Sequence, residues 1–131
     1  MKVTLRQVYK EDYRFLYKLL KLRSKVEYIS HRGVMPSYKE HCKFNDNKPY
    51  TGDWIILGED KPIGRLYLSK NNEVGIHCLP KVNRKYVIDE LLDLFCFNHV
   101  YFNVSPKDKI INDYLKKRGL KLIQYTYENL H

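Results

Sequence analysis

The sequence predicts an α+β domain: one mixed sheet flanked by helices. Three observations carry the prediction. The order of strand-like and helix-like stretches is β-α-α-β-β-β-α-β-α-β. Three strand patterns follow one another in the middle, which calls for hairpins. Strands and helices then alternate, which calls for a parallel crossover. With 131 residues, the chain is expected to form a single domain over 1–131.

Val3, Leu5 and Val8 with polar residues between them form the first strand pattern. Glu11 and Asp12 stand where a helix start favours negative charge. Phe15, Leu16, Leu19, Leu20 and Leu22 give the helical stripe, ending among Lys21, Arg23 and Lys25. A polar connection covers 27–33. Pro36-Ser37 then opens a second helix, with Ser37 as cap and Glu40 three residues on, the spacing of a capping box. Strands are expected over Asp53–Leu57 and Ile63–Ser69, joined as a hairpin through 58–62.

The stretch EVGIHCLPKVNRKYVIDELL, from Glu73 to Leu92, organises the rest. Glu73–Leu79 alternates and is rich in β-formers, and Pro80 ends it because proline cannot donate to a ladder. Val87, Ile88, Leu91 and Leu92 share one helical face. Between strand and helix lies the basic loop Lys81-Val82-Asn83-Arg84-Lys85. A helix start preceded by such a loop presents its N–H groups and dipole to an anion, and Arg84 and Lys85 add full charges. A strand over His99–Val104, a helix around Ile110, Ile111, Tyr114 and Leu115, and a last strand over Lys121–Tyr127 complete the order.

Composition bounds the function. The 24 Lys and Arg against 15 Asp and Glu leave a net charge of +9. That excess fits either a solvated surface or an anionic partner such as a nucleotide, coenzyme phosphates or nucleic acid, and no nucleic-acid motif is present. Cys42, Cys78 and Cys96 are odd in number and widely spaced, which indicates neither a disulfide framework nor a metal motif and suggests a cytoplasmic setting. No secretory leader pattern or membrane-length apolar run is read in the sequence.

The order of elements resembles the GCN5-related N-acetyltransferase (GNAT) superfamily, and local stretches agree along nearly the whole chain. PSYKEH is similar to an s-x-E-E-H segment of members that acetylate amino sugars or amino-acid derivatives. KPIGRLYL and EVGIHCLP resemble the third and fourth strands, and NVSPKDKIINDYLKKRGLKLIQ resembles the closing region. The resemblance implies an acetyl-CoA-dependent acetyltransferase acting by direct transfer on a small primary amine. It implies that the fourth strand parts from the fifth to receive the pantetheine arm. Backbone at Ile76, His77 and Cys78, with Leu79 beside them, would meet that arm. Glu73 is expected as the base, with His77 as second choice, and Tyr114 as the nearest candidate acid. Arg32, Tyr38, His41 and Tyr67 are expected around the acceptor.

The family's pyrophosphate loop, R-G-K-G-I-G, falls on Asn83–Ile88, and every glycine is missing. Either charge from Lys81, Arg84 and Lys85 replaces part of the amide nest, with Tyr86 crowding it, or coenzyme binding is lost. Asp108 falls where the family has a coenzyme-contacting asparagine. The alternative function is therefore a catalytically inactive GNAT-fold protein that binds an anionic ligand, protein or nucleic acid. A homodimer is left open.

Overall fold

Four strands run antiparallel in chain order, and the last three of these are joined by tight turns. The computed structural model describes residues 1–23, 35–94 and 99–129. β1 is Val3–Gln7, β2 Gly52–Gly58, β3 Lys61–Leu68, β4 Glu73–Cys78 and β5 Tyr101–Phe102. The helices are α1 Tyr13–Leu22, α2 Tyr38–Asp46, α3 Arg84–Leu94 and α4 Lys109–Lys117. The sheet order is β1-β2-β3-β4-β5.

Glu59 and Asp60 both take positive φ, 49° and 65°, so β2 and β3 meet through a two-residue turn of the kind that matches strand twist. Between β3 and β4, the Ser69 hydroxyl accepts from the Asn71 and Glu73 amides at 3.2 and 3.0 Å. β5 instead joins β4 in parallel. A parallel neighbour requires a crossover, and α3 lies within it.

The two sheet faces differ. Ile56, Leu66 and Val74 pack with Val87 and Leu91 of α3. On the opposite face Ile55 packs with Leu16 and Leu19 of α1. Ile88 of α3 joins Ile111 and Leu115 of α4 in a third cluster, with Ile76 and Phe102 against it. The capping box of α2 forms as expected: the Ser37 hydroxyl accepts from the Glu40 amide at 3.1 Å, and Glu40 accepts from the Ser37 amide at 2.9 Å.

Two expectations change. Lys121–Tyr127 forms no strand: among the described residues no strand pairs with it. Strand propensity without a partner leaves every backbone donor to water. The fifth strand spans two residues rather than six, since it pairs with β4 at two positions before the two strands part. Asp12 stands at the start of α1 as expected, and it is buried there. Its carboxylate takes two hydrogen bonds from Arg6, at 2.8 and 2.7 Å, and one from the Tyr9 amide at 2.8 Å. Arg6 and that amide hold its carboxyl below the usual carboxylate range.

Candidate active site

β4 and β5 pair at Glu73–Tyr101 and Val74–Phe102, and then part. A cavity of about 280 Å³ lies at the parting. Residues 73–77 of β4 form one wall, and residues 102–105 another. Ile88 of α3 and Ile111 of α4 close it on the apolar side, and Tyr67 reaches it from β3.

Register fixes which backbone groups face the gap. Leu79 donates to Ile63, and Ser69 donates to Glu73, each at 2.9 Å. Odd-numbered residues of β4 therefore turn their N–H and C=O toward β3. Ile76 and Cys78, one residue out of phase, direct theirs toward the gap. His77, grouped with them in the sequence reading, has its backbone committed to β3 while its side chain lines the cavity.

That side chain sits in an organised polar face. Arg65, buried, donates to both Asp53 oxygens at 2.8 and 2.6 Å and to the Asn45 side-chain oxygen at 2.9 Å. Its guanidinium lies over the Tyr50 ring. Tyr50 stacks on Tyr67 with ring centres 4.0 Å apart, and Tyr67 meets the His77 ring edge-on at 5.6 Å. Gly75 makes room for this: a Cβ there would lie 2.0 Å from the Tyr67 ring. Burial, with Arg23 and Arg65 nearby, pushes the His77 imidazole down to about 3, so it is neutral at ordinary pH. Glu73, at the start of β4, also faces the cavity, and the Asn103 side-chain amide donates to its carboxylate.

The basic end of the cleft differs from a bare cationic loop. Arg84 and Asp108 both line the cavity, and they bind each other through two parallel hydrogen bonds of 2.9 and 3.2 Å. Asp108 is buried, and it also caps α4 by accepting from the Ile111 amide at 3.3 Å. Two residues expected to meet coenzyme thus clamp the start of α3 to the start of α4. At the same helix start, the Asn83 side chain accepts from the Tyr86 amide at 3.2 Å. Lys85 and Tyr86 do not line the cavity, and the Tyr86 hydroxyl donates to the Met1 carbonyl at 2.6 Å.

Tyr114 lies outside the cleft. Its hydroxyl donates to Asp89 of α3 at 2.5 Å, and burial together with that bond pushes its phenol up to about 12. Cys78 and Leu79 side chains do not line the cavity either. Tyr38 packs edge-on against Tyr17 under the Arg14 guanidinium. His41 is buried between Tyr17 and Phe44, and burial with Arg65 lowers its imidazole. These two reach the cleft only indirectly, along a file of rings Tyr38–Tyr17–His41–Phe44–Tyr50–Tyr67–His77. Arg32 lies outside the described residues, as does Cys96. Sequence reasoning missed Arg23, Asn103 and Ser105 as lining residues. A polar Asn103 inside the β-prone run HVYFNV was the available signal for one of them. Among the described residues no group of three or more His, Cys, Asp or Glu side chains is placed to hold a metal ion.

The fold is shared with solved structures, several of them described as acetyltransferases. A domain from Methanocaldococcus jannaschii superimposes with a TM-score of 0.74 at 18% identity, over 98% of this chain and 94% of that one. The chain has the GNAT fold. The aminoglycoside N-acetyltransferase AAC(6')-Iy in complex with CoA aligns over 99% of this chain and 95% of its own, at TM-score 0.65 and 14% identity. The spermidine/spermine N-acetyltransferase SpeG from Vibrio cholerae aligns over 89% and 78%, at TM-score 0.66 and 18% identity. No family model matches the sequence, and no curated protein does. In this chain the parted β4–β5 pair and Arg84 at the α3 start border the same cavity.

Proposed function

We propose that this protein transfers an acetyl group from acetyl-CoA to the primary amine of a small acceptor. The observation that carries the reading is the β4–β5 gap, with Glu73 and His77 on its wall. Support also comes from the company of the fold: AAC(6')-Iy was solved with CoA, and SpeG is a spermidine/spermine N-acetyltransferase.

The residues present fit an extended thioester ligand in part. The gap is open, and Ile76 and Cys78 turn backbone groups into it to pair with the amides of such a ligand. At the helix start, Arg84 lines the cavity but is neutralised by Asp108, and Lys81 and Lys85 lie outside the cavity lining. Acetyl-CoA, when bound, supplies a thioester carbonyl open to direct attack by an amine. The work of the chain is then positioning, exclusion of water and proton handling. Glu73, oriented by Asn103, takes the proton from the acceptor nitrogen. His77 stays neutral and offers a hydrogen bond rather than a charge. Tyr114 is engaged with Asp89, so the thiol's proton comes from elsewhere, water included. Acceptors of amino-sugar or amino-acid type fit a wall that pairs tyrosine with a carboxylate.

One specific observation favours the second reading, an inactive anion-binding protein: the α3 start lacks loop glycines, and Arg84 is spent on Asp108. Titration calorimetry with acetyl-CoA separates the two. Saturable micromolar binding, followed by thiol release on adding a polyamine or aminoglycoside, is expected. No heat at millimolar coenzyme would overturn the enzyme reading and leave the other. In an active preparation, Glu73→Gln should lower kcat by about 10²-fold with little change in coenzyme affinity. An unchanged kcat would remove Glu73 from the proton's path.

A further inference from the structure

Two parts of the cleft are built differently. One is apolar, lined by Ile76, Ile88, Phe102, Val104 and Ile111. Beside it Ile76 and Cys78 turn backbone N–H and C=O groups toward the gap. Such a slot suits an extended chain that carries amides at intervals and pairs them as a strand would.

The other part, at the start of α3, is already engaged by the protein's own groups. An anion at a helix start is held by unspent amides and unspent charge. The Val87 amide donates to the Asn83 carbonyl at 3.1 Å, which makes Asn83 the residue just before the helix. The Asn83 side chain accepts from the Tyr86 amide at 3.2 Å, so one donor of that helix start is taken. Of Lys81, Arg84 and Lys85, only Arg84 lines the cavity, and it donates to both Asp108 oxygens. Asp108 is buried and also accepts from the Ile111 amide. Turning Arg84 toward a phosphate would strand that buried carboxylate. Residues 81–88 contain no glycine, so a side chain stands at every position along the approach. The cavity, about 280 Å³, lies at the small end of ligand pockets, which run from ~300 to 1,000 Å³. It has room for an arm and little more.

Building on the transfer reaction proposed above, we infer that this protein recognises its acyl donor by the pantetheine arm alone. The nucleotide diphosphate of acetyl-CoA adds no affinity. The donor class is an acyl-pantetheine thioester, whether the arm ends free, in a coenzyme or on a carrier protein. The bond changes are the same for each. The amine nitrogen bonds to the carbonyl carbon, and the C–S bond breaks with its electron pair on sulfur. The nitrogen's proton passes to Glu73, and the thiolate is protonated from water.

The wild-type protein is titrated by calorimetry with acetyl-CoA, acetyl-pantetheine and ADP. The two thioesters should bind within about tenfold of each other, less than one charged hydrogen bond supplies, and ADP should give no saturable heat. Acetyl-CoA tighter by more than that, or saturable micromolar binding of ADP, overturns the inference and leaves the transfer reading standing. Binding of neither thioester overturns both. Asp108→Asn keeps an acceptor for the Ile111 amide but removes the charge that holds the Arg84 guanidinium. It should shift preference toward acetyl-CoA by about tenfold, and an unshifted preference would also overturn the inference. Turnover is then compared between acetyl-pantetheine and the same acetylated arm on an acyl carrier protein. Faster turnover from the carrier assigns the arm to a protein, and equal or slower turnover assigns it to a free thioester; either result supports the inference. Turnover from acetyl-CoA and from neither of these overturns it.

Discussion

His77 is a histidine that the fold keeps uncharged. Its folded-state value, about 3, lies below the unfolded 6.5, so between these values the unfolded chain binds more protons. Its contribution to stability is therefore intact above pH 6.5 and falls as pH drops toward 3. His77→Gln should flatten that part of a stability-against-pH curve measured by urea unfolding. An unchanged slope would mean the ring is not buried as described. For the same reason no limb near pH 6.5 in a rate profile should vanish in this variant. Gly75→Ala is the sharper steric test. The added methyl must displace the Tyr67 ring, at a cost of about 1–3 kcal/mol in unfolding free energy, with the acceptor KM raised. The Arg84–Asp108 clamp divides the two views of the loop. Arg84→Ala leaves a buried carboxylate without its guanidinium and should cost about 1–3 kcal/mol. A loss of coenzyme affinity with no loss of stability would instead make Arg84 a phosphate ligand first.

Among the elements, most of what the sequence showed came from local rules. Ser37 and Glu40 sit at capping-box spacing, and the box forms because both partners lie within one helical turn. The turn around Glu59-Asp60 and the α3 face of Val87, Ile88 and Leu91 are equally local. What escaped was pairing at a distance. Nothing in Lys121–Tyr127 says whether a neighbour waits beside it, and nothing around Asp108 says that Arg84 lies opposite. Asp12 is the same lesson at the first helix: a charge that suits a helix start turned out to be held by Arg6 of β1. Its depressed value means that the contribution of this pair is present above the unfolded carboxylate range and is lost as pH falls through the folded one. Asp12→Asn should cost about 1–2 kcal/mol at neutral pH and little at pH 2, by thermal or urea unfolding.

Taken whole, the molecule places its cleft where a sheet of four antiparallel strands accepts one parallel strand briefly. The element order made that placement legible, since a parallel neighbour after three antiparallel ones must arrive by crossover. The composition of the walls was legible on β4, where alternation could be counted, and at Tyr67, Arg84 and Asp108, which the sequence reading also placed at the site. The opposite wall comes from residues after β5, whose roles depend on packing between α3 and α4. Two ladder positions are a slender fastening for a strand. Its amides should trade protons with deuterated water sooner than those of β2 or β3. Any compound that lodges in the gap and bonds to both sides would slow that trade. Deuterium uptake at residues 99–105 would then report occupancy directly, for ligands that are never turned over as well as for those that are.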